Sequence, residues 1–182
     1  MPEYRRAKVP GGTYFFTVTT YQRGKFMADA PFRNALRDGI ELARKTLLFD
    51  IEAWVLLPDH MHCIWRLPEG DADYAKRWAV IKRHVSKHCG HWLARHVALS
   101  ESRLARKESA IWQRRFWEHQ IRDEHDFAKH VDYIHYNPVK HGYAERVADW
   151  PHSTFHRYVR AGVYSRDWAG SGVVMRDSDF GE

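Results

Sequence analysis

Two histidines one residue apart are the first side chains in this chain whose types and spacing could do chemistry. His60 and His62 lie in the run Leu57–Pro68 (LPDHMHCIWRLP), whose apolar, β-prone flanks predict a strand. Alternate strand side chains share a face, so both imidazoles project the same way while Met61 and Cys63 face a core. Two neighbouring imidazoles can chelate one divalent cation. With 13 His in 182 residues, about one such pair is expected by chance, so a metal site needs a further ligand elsewhere.

A predicted helix late in the chain supplies a candidate ligand. The run DEHDFAKHVDYIHYNPVKHGY begins near Asp123, which can cap the helix through the residue three positions on, and we expect Pro138 to end it. Two sets of residues recur at helical spacing, and each set forms one face of the helix. The apolar one holds Phe127, Val131 and Ile134, and the polar one holds Asp126, His130, Tyr133 and Asn137. An amphipathic helix with a half-exposed tyrosine would explain the same pattern without any chemistry.

Together these residues predict a reaction on a phosphodiester. A divalent ion held by His60 and His62, with Asn137 as an oxygen ligand, is a Lewis acid that can polarise the phosphate. Tyr133, one helical turn from Asn137, is a nucleophile that can form a covalent phosphotyrosine. That bond keeps the energy of the phosphodiester, so a freed 3′-hydroxyl could reverse the step and join strands. A tyrosine with a pKa of about 10 is a poor nucleophile near neutral pH, so the metal and nearby cations must assist.

Composition favours a nucleic-acid partner. The net charge is +6 with a pI near 9.4, and eight Trp and nine Tyr accompany the excess of Lys and Arg. Such a surface can neutralise phosphates and stack unpaired bases, although many proteins are mildly basic and most of these Trp belong in a core. The length suits one domain, residues 1–182, with a basic arm at 1–12 and a tail from about 150. Reduced cysteines (Cys63 and Cys89) and the absence of a secretory or membrane-spanning run predict a cytoplasmic protein without a membrane partner.

The order of predicted elements indicates the fold class. It is β-α-β-β-α-β followed by the helix from Asp123, which predicts an α+β, ferredoxin-like split βαβ fold with an antiparallel sheet and helices on one face. The other face is left for ligands or for the additional C-terminal helix. The segment 92–109 is a helical extension or a loop. The six elements are Thr13–Thr20, Pro31–Leu47, Ile51–Leu57 in a hairpin with the His-x-His strand, Asp73 to about His91, and Ala110–Ile121.

Long blocks in fixed order resemble the REP-associated tyrosine transposases, relatives of the IS200/IS605 single-tyrosine transposases in the HUH endonuclease superfamily. The blocks are PDHMHCIW, IWQRRFWEHQIRDE, HVDYIHYNPVKHGY and WPHSTF, and the likeness runs from EYRR to WAG near residue 170. The resemblance implies metal-dependent cleavage and joining of single-stranded DNA at REP hairpins through a 5′-phosphotyrosine. It implies Mg²⁺ or Mn²⁺ on His60, His62 and Asn137, with Tyr133 rather than Tyr136 as the catalytic nucleophile. Tyr136 lies about 60° round the helix from Tyr133, away from Asn137.

Recognition of a hairpin with a single-stranded flank needs cations for phosphates and rings for bases. Four histidines, namely His119, His130, His135 and His141, are candidates for proton transfer at the leaving oxygen. A monomer and a homodimer both stay open. The candidate DNA-binding residues are Arg5, Arg6, Lys82, Arg83, Arg114, Arg115, Trp112 and Trp117.

Three other readings compete. A replication initiator or relaxase of the same superfamily usually places its tyrosine before the histidine pair, whereas Tyr133 follows it. A non-catalytic module that binds single strands would stack bases on aromatic pairs in its central strands, where this chain has histidines. A zinc hydrolase would need a third His or Cys at ligand spacing, which the sequence does not show.

Overall fold

The computed structural model describes residues 8–93, 101–105, 111–170 and 180–181. Within these ranges the structure has four strands and five α-helices, with short 3-10 turns at Tyr21–Arg23 and Val147–Asp149. The four strands and three of the helices follow the predicted order, and two short helices are additional. The strands are β1 (Thr13–Thr19), β2 (Asp50–Leu56), β3 (His60–Arg66) and β4 (Trp117–Gln120). The helices are α1 (Ala30–Arg44), α2 (Tyr74–Leu93), α3 (Glu101–Ala105), α4 (Glu124–Lys140) and α5 (Phe155–Arg160).

The four strands form one antiparallel sheet in the order β2-β3-β1-β4. This order confirms the ferredoxin-like prediction, including the hairpin between β2 and β3. Because β1 and β3 are central, both of their faces are covered. Side chains of β1 therefore alternate between two apolar clusters, which is why the run TYFFTVT is aromatic and β-branched throughout.

Helices α1 and α2 cover one face of the sheet. Met61 and Cys63 point into this cluster, as predicted, beside Trp65, whose ring stacks on that of Trp78 at 4.2 Å. The two helices approach closely at Gly39, where an added Cβ would lie 3.3 Å from the carbonyl oxygen of Ile81. This layer is an ordinary hydrophobic core, and it fixes β3 from behind.

Helix α4 covers the opposite face of β2 and β3. Its N-cap is Asp123, whose carboxylate accepts from the Asp126 backbone N–H at 2.8 Å, as predicted. The prediction that Pro138 ends the helix is wrong, because the helix continues to Lys140. A proline loses only its own N–H bond, and the His141 N–H still donates to the Asn137 carbonyl at 3.0 Å, so the last turn closes.

Other boundaries also differ from the prediction. The strand expected over Ala110–Ile121 is shorter, because Ile111 and Trp112 turn into the core and make only an isolated bridge to Thr20 before β4 begins. Of the segment 92–109, only part is described, including α3. Residues after 150 include the buried Phe155, so the start of the predicted tail is packed against the domain. In the described ranges, none of the helices has the length and apolar character needed to cross a bilayer.

Candidate functional site

The two histidines of β3 project from the face that α4 covers. His60 is 1% exposed and His62 is fully buried, and their ring centroids are 5.0 Å apart with the planes at 76°. The strand alternation predicted this shared direction. Buried polar rings need hydrogen-bond partners, and the partners of these two rings determine what the rings can bind.

The first ring is held by its neighbour in the chain. The Nδ1 atom of His60 lies 2.7 Å from an Asp59 carboxylate oxygen, and the Arg23 guanidinium lies 3.5 Å from the other oxygen. Burial tends to raise the pKa of Asp59, but the hydrogen bond from His60 and the charge of Arg23 favour the ionised form, and the pKa is lowered. The ionised carboxylate accepts a hydrogen bond from Nδ1–H, so the lone pair of the neutral His60 ring is on Nε2.

The second ring is held by a hydroxyl on the adjacent strand. His62 Nδ1 lies 2.9 Å from Thr17 Oγ1, and this hydroxyl donates its one proton to the backbone carbonyl of Phe180. The hydroxyl must therefore accept from His62, so Nδ1 again carries the hydrogen and Nε2 the lone pair. Both imidazoles are fixed in the tautomer that metal-binding histidines adopt when a second group orients them.

Tyr133 of α4 lies against this pair. Its ring centroid is 5.3 Å from that of His62, and its side chain is 1% exposed. The phenol oxygen accepts a hydrogen bond from Lys140 Nζ at 2.8 Å, and the same ammonium lies 4.6 Å from the ring centroid. Lys140 is two turns further along the helix, so a fixed positive charge sits directly at the hydroxyl.

An aromatic ring from the C-terminal end covers the tyrosine. Phe180 stacks on Tyr133 with ring centroids 3.5 Å apart and planes at 5°, and it is fully buried. Phe180 also accepts the hydrogen bond of Thr17 described above. In this structure, the stacked Phe180 ring therefore covers one face of the buried Tyr133 side chain.

Asn137 lies on the same row of α4 as Tyr133 and His141, at successive intervals of four residues. The Tyr133 ring contacts His62, and the His141 ring is 5.1 Å from that of His60. Asn137 stands between these two contacts and is fully buried. The helix row therefore places Asn137 on the face of α4 that contacts both histidines.

The predicted DNA-binding residues fall into three groups. Arg5 and Arg6 lie outside the described residues. Lys82, Arg83, Arg114 and Arg115 lie on α2 and on the segment before β4, and the three arginines are exposed. Trp112, in contrast, is only 6% exposed and packs on Phe32 at 5.4 Å, so it offers no open ring face and that prediction is not supported.

Trp117 borders a groove that reaches the candidate site. The groove has a volume of about 720 Å³, and its lining includes Arg115, Trp117, Gly181 and Thr17, the last being the residue that holds His62. Lys82 reaches the same region, since its ammonium lies 5.5 Å from the Phe116 ring. The groove thus borders the residue that holds His62, and its lining combines Arg115 and the acidic Glu118 with two aromatic rings.

Sequence reasoning missed several contributors. Lys140 stands seven residues after Tyr133, a helical spacing that could have indicated contact. Phe180 gave no local signal, because its role depends on a long-range approach. Of the four histidines considered for proton transfer, His141 lies beside His60. His135 lies elsewhere, with Nε2 2.9 Å from Thr154 Oγ1, and burial lowers its pKa to about 3.

Comparison with known proteins identifies close relatives across nearly the whole chain. A REP-associated tyrosine transposase of Escherichia coli is 46% identical over 170 residues, which is 93% of this chain and 92% of that protein. A Haemophilus influenzae protein with the same family designation is 44% identical over 176 residues, 94% of this chain and 95% of its own. No protein-family model matches the chain.

A solved structure agrees in fold as well as in sequence. The structure of a REP-associated tyrosine transposase bound to a REP hairpin superposes with a TM-score of 0.80 at 45% identity, covering 96% of this chain and 95% of that one. Identity of this extent, over more than nine-tenths of both chains, is far above what a shared fold alone would give. The chain therefore belongs to the REP-associated tyrosine transposases.

Proposed function

We propose that this transposase is a metal-dependent endonuclease and strand transferase that acts on single-stranded DNA flanking a REP-type hairpin. It works through a covalent 5′-phosphotyrosine at Tyr133. The observation that carries the proposal is the packing of the Tyr133 ring on His62, 5.3 Å between centroids, with a lysine ammonium at the phenol oxygen. The relative that was solved with a REP hairpin supports hairpin DNA as the substrate class.

The donor set fits a divalent cation. His60 and His62 each keep the lone pair on Nε2 because Asp59 and Thr17 hold the opposite nitrogen, and Asn137 adds an amide oxygen from the facing helix. We infer that these three side chains hold Mg²⁺ or Mn²⁺, and the two imidazoles favour Mn²⁺ of the two because Mg²⁺ prefers oxygen ligands. The bound ion would supply Lewis-acid polarisation of the scissile phosphate.

The remaining chemistry belongs to Tyr133 and its neighbours. The phenol oxygen forms a bond to phosphorus, the bond from phosphorus to the 3′-oxygen breaks, and the phenol proton leaves while the 3′-oxygen takes one up. Lys140 Nζ, 2.8 Å from the phenol oxygen, stabilises the negative charge that develops on it. Attack of a 3′-hydroxyl on the phosphotyrosine reverses the step and joins strands.

The groove beside β4 fits the single-stranded flank. Arg115 and the nearby Arg114 and Lys82 supply cations for phosphates, and half-buried Trp117 can stack on a base. A non-catalytic binding module would need an open sheet face carrying aromatic pairs. Here α4 covers that face and the central positions hold histidines, so the catalytic proposal has the stronger support.

Replacing the nucleophile should remove the covalent intermediate and spare binding. We expect Tyr133→Phe to lower the yield of protein–DNA adduct by at least about 10³-fold, because only the hydroxyl forms the bond. The measurement is a denaturing gel with a labelled REP-type hairpin and Mn²⁺, alongside a binding titration that stays within a few fold of wild type. Tyr136→Phe, the matched control on the same helix, should form the adduct normally. An adduct that persists in Tyr133→Phe and disappears in Tyr136→Phe would show that the nucleophile was wrongly chosen.

Removing the proposed metal ligands, or the metal itself, should also abolish DNA cleavage. We expect His60→Ala, His62→Ala and wild type in EDTA each to lose cleavage, because the phosphate is no longer polarised. The assay is cleavage of the same hairpin across a Mn²⁺ titration, with the exposed His88→Ala as the control. Full cleavage by wild type in the chelator would contradict the metal requirement.

The ring that covers Tyr133 must move before DNA can reach the phenol. We expect Phe180→Ala to increase acetylation of Tyr133 by N-acetylimidazole several-fold, because the stacked ring no longer shields it. Peptide mass spectrometry reads the modification at this tyrosine, and the exposed Val163→Ala serves as the control. Equal acetylation in both variants would mean that residue 180 does not limit access.

A further inference from the structure

A second group of metal-binding side chains lies outside the site described above. His119 of β4 and Asp126 and His130 of α4 bring one donor atom each to within 4.8 Å of one another. His119 Nε2 is 2.8 Å from Asp126 Oδ2, and His130 Nδ1 is 3.2 Å from Asp126 Oδ1. Asp126 and His130 are one helical turn apart, so the helix presents both to the same strand.

The group is buried but has a route to solvent. The side chains of Asp126 and His130 are 6% and 4% exposed, while that of His119 is 25% exposed. Among the residues that the structure describes, His130 Nε2 is buried and has no hydrogen-bond partner. A buried polar atom without a hydrogen-bond partner is unfavourable. Hydrogen bonding within the protein therefore does not fully account for the placement of this imidazole.

We propose that His119, Asp126 and His130 form a binding site for a divalent transition ion, with zinc as the best-matched metal. Two imidazoles and one carboxylate are a common three-ligand set for such ions, with water completing the shell. Magnesium prefers an all-oxygen shell and is disfavoured here. This site is distinct from the one on His60 and His62 and does not depend on the proposed reaction.

The existing contacts of Asp126 are compatible with this role. Oδ2 accepts from the Arg122 backbone N–H at 3.1 Å and from its Nε at 3.0 Å. Arg122 is 72% exposed, so yielding its side-chain contact costs little. His130 Nδ1 also faces the Asp126 backbone carbonyl at 2.7 Å. His130 Nδ1 donates to that carbonyl, so the lone pair of this ring is on Nε2. An ion would replace the His119 proton that faces the carboxylate and would bind the lone pair of His130.

The rings must also turn slightly to converge on one ion. His119 and His130 are stacked at 4.6 Å with planes at 11°, whereas ligating nitrogens point their lone pairs at a shared centre. His119 is on the partly exposed edge strand and has the room to rotate.

An ion at this position would join β4 to the first turns of α4. Phe15 of β1 contacts both His130, at 4.8 Å, and His62, at 5.3 Å. The same helix carries Tyr133 less than one turn beyond His130. The second ion would thus act as a structural cross-link that holds the tyrosine helix against the edge of the sheet.

Zinc binding by the untagged, metal-stripped full chain tests the proposal. We expect the His60→Ala/His62→Ala double variant to retain one tight equivalent of Zn²⁺ by isothermal titration and to melt at a higher temperature with zinc than without it. Adding Asp126→Asn should remove that equivalent and the shift in melting temperature, while adding the exposed His125→Ala on the same helix should leave both. Co²⁺ should replace Zn²⁺ with visible absorption bands that Asp126→Asn abolishes, and Mg²⁺ should not compete.

A second variant separates loss of a zinc ligand from loss of folding, which Asp126→Asn alone cannot do. His119→Ala in the double-variant background alters the more exposed ligand and should weaken zinc binding at least tenfold while the metal-free melting temperature stays near that of its parent. Zinc retained in both the Asp126→Asn and His119→Ala proteins, or no tight zinc in the double variant, would overturn the proposal. Adduct formation is assayed separately, so failure of the tyrosine mechanism would leave the zinc count unchanged.

Discussion

The candidate site depends on two buried hydrogen bonds that fix the tautomer and orientation of His60 and His62. The carboxylate of Asp59 accepts a hydrogen bond from Nδ1–H of His60, and the hydroxyl of Thr17 accepts one from Nδ1–H of His62. Without these two acceptors, each buried Nδ1–H group would lack a hydrogen-bond partner, which is unfavourable. The two neutral rings could then also change tautomer and orientation. With the two acceptors, both lone pairs stay on Nε2. The chemistry proposed for this enzyme therefore begins with two groups that orient the histidines and are not themselves metal ligands.

The second requirement is that a strand and a distant helix meet. β3 is held from behind by the aromatic core under α1 and α2, and α4 is pressed on its front by the second apolar cluster. Because α4 repeats every 3.6 residues, the row Tyr133, Asn137, His141 falls along the histidine pair. The first two turns of the same helix carry Asp126 and His130, beside β4. One rigid element therefore positions both the proposed nucleophile and the inferred second metal group.

Much of this arrangement could be predicted from the sequence, because it rests on local periodicity. Alternation in β3 predicted that His60 and His62 share a face, and the order of elements predicted the ferredoxin-like sheet. The helix row predicted that Tyr133 and Asn137 lie together. These patterns follow from backbone geometry, which tertiary packing does not change.

The features that sequence missed depend on long-range packing. Trp112 was predicted to stack on DNA bases, but its ring is buried in the hydrophobic core beside Phe32. Pro138 looked like a helix end, yet the hydrogen bonds of the following residues carry the helix to Lys140. Phe180 reaches Tyr133 across 47 positions of chain, and no spacing rule addresses such an approach. The cluster around Asp126 likewise appears only once β4 and α4 are placed side by side.

The most direct test of the central claim is to locate the phosphate on the protein. The covalent complex formed with a REP-type hairpin and Mn²⁺ would be digested with nuclease and protease, and the peptide carrying the residual nucleotide sequenced by tandem mass spectrometry. The account predicts a nucleotide linked through its 5′-phosphate to the phenol oxygen of Tyr133. A nucleotide on Tyr136, on another residue, or on no residue at all would contradict it.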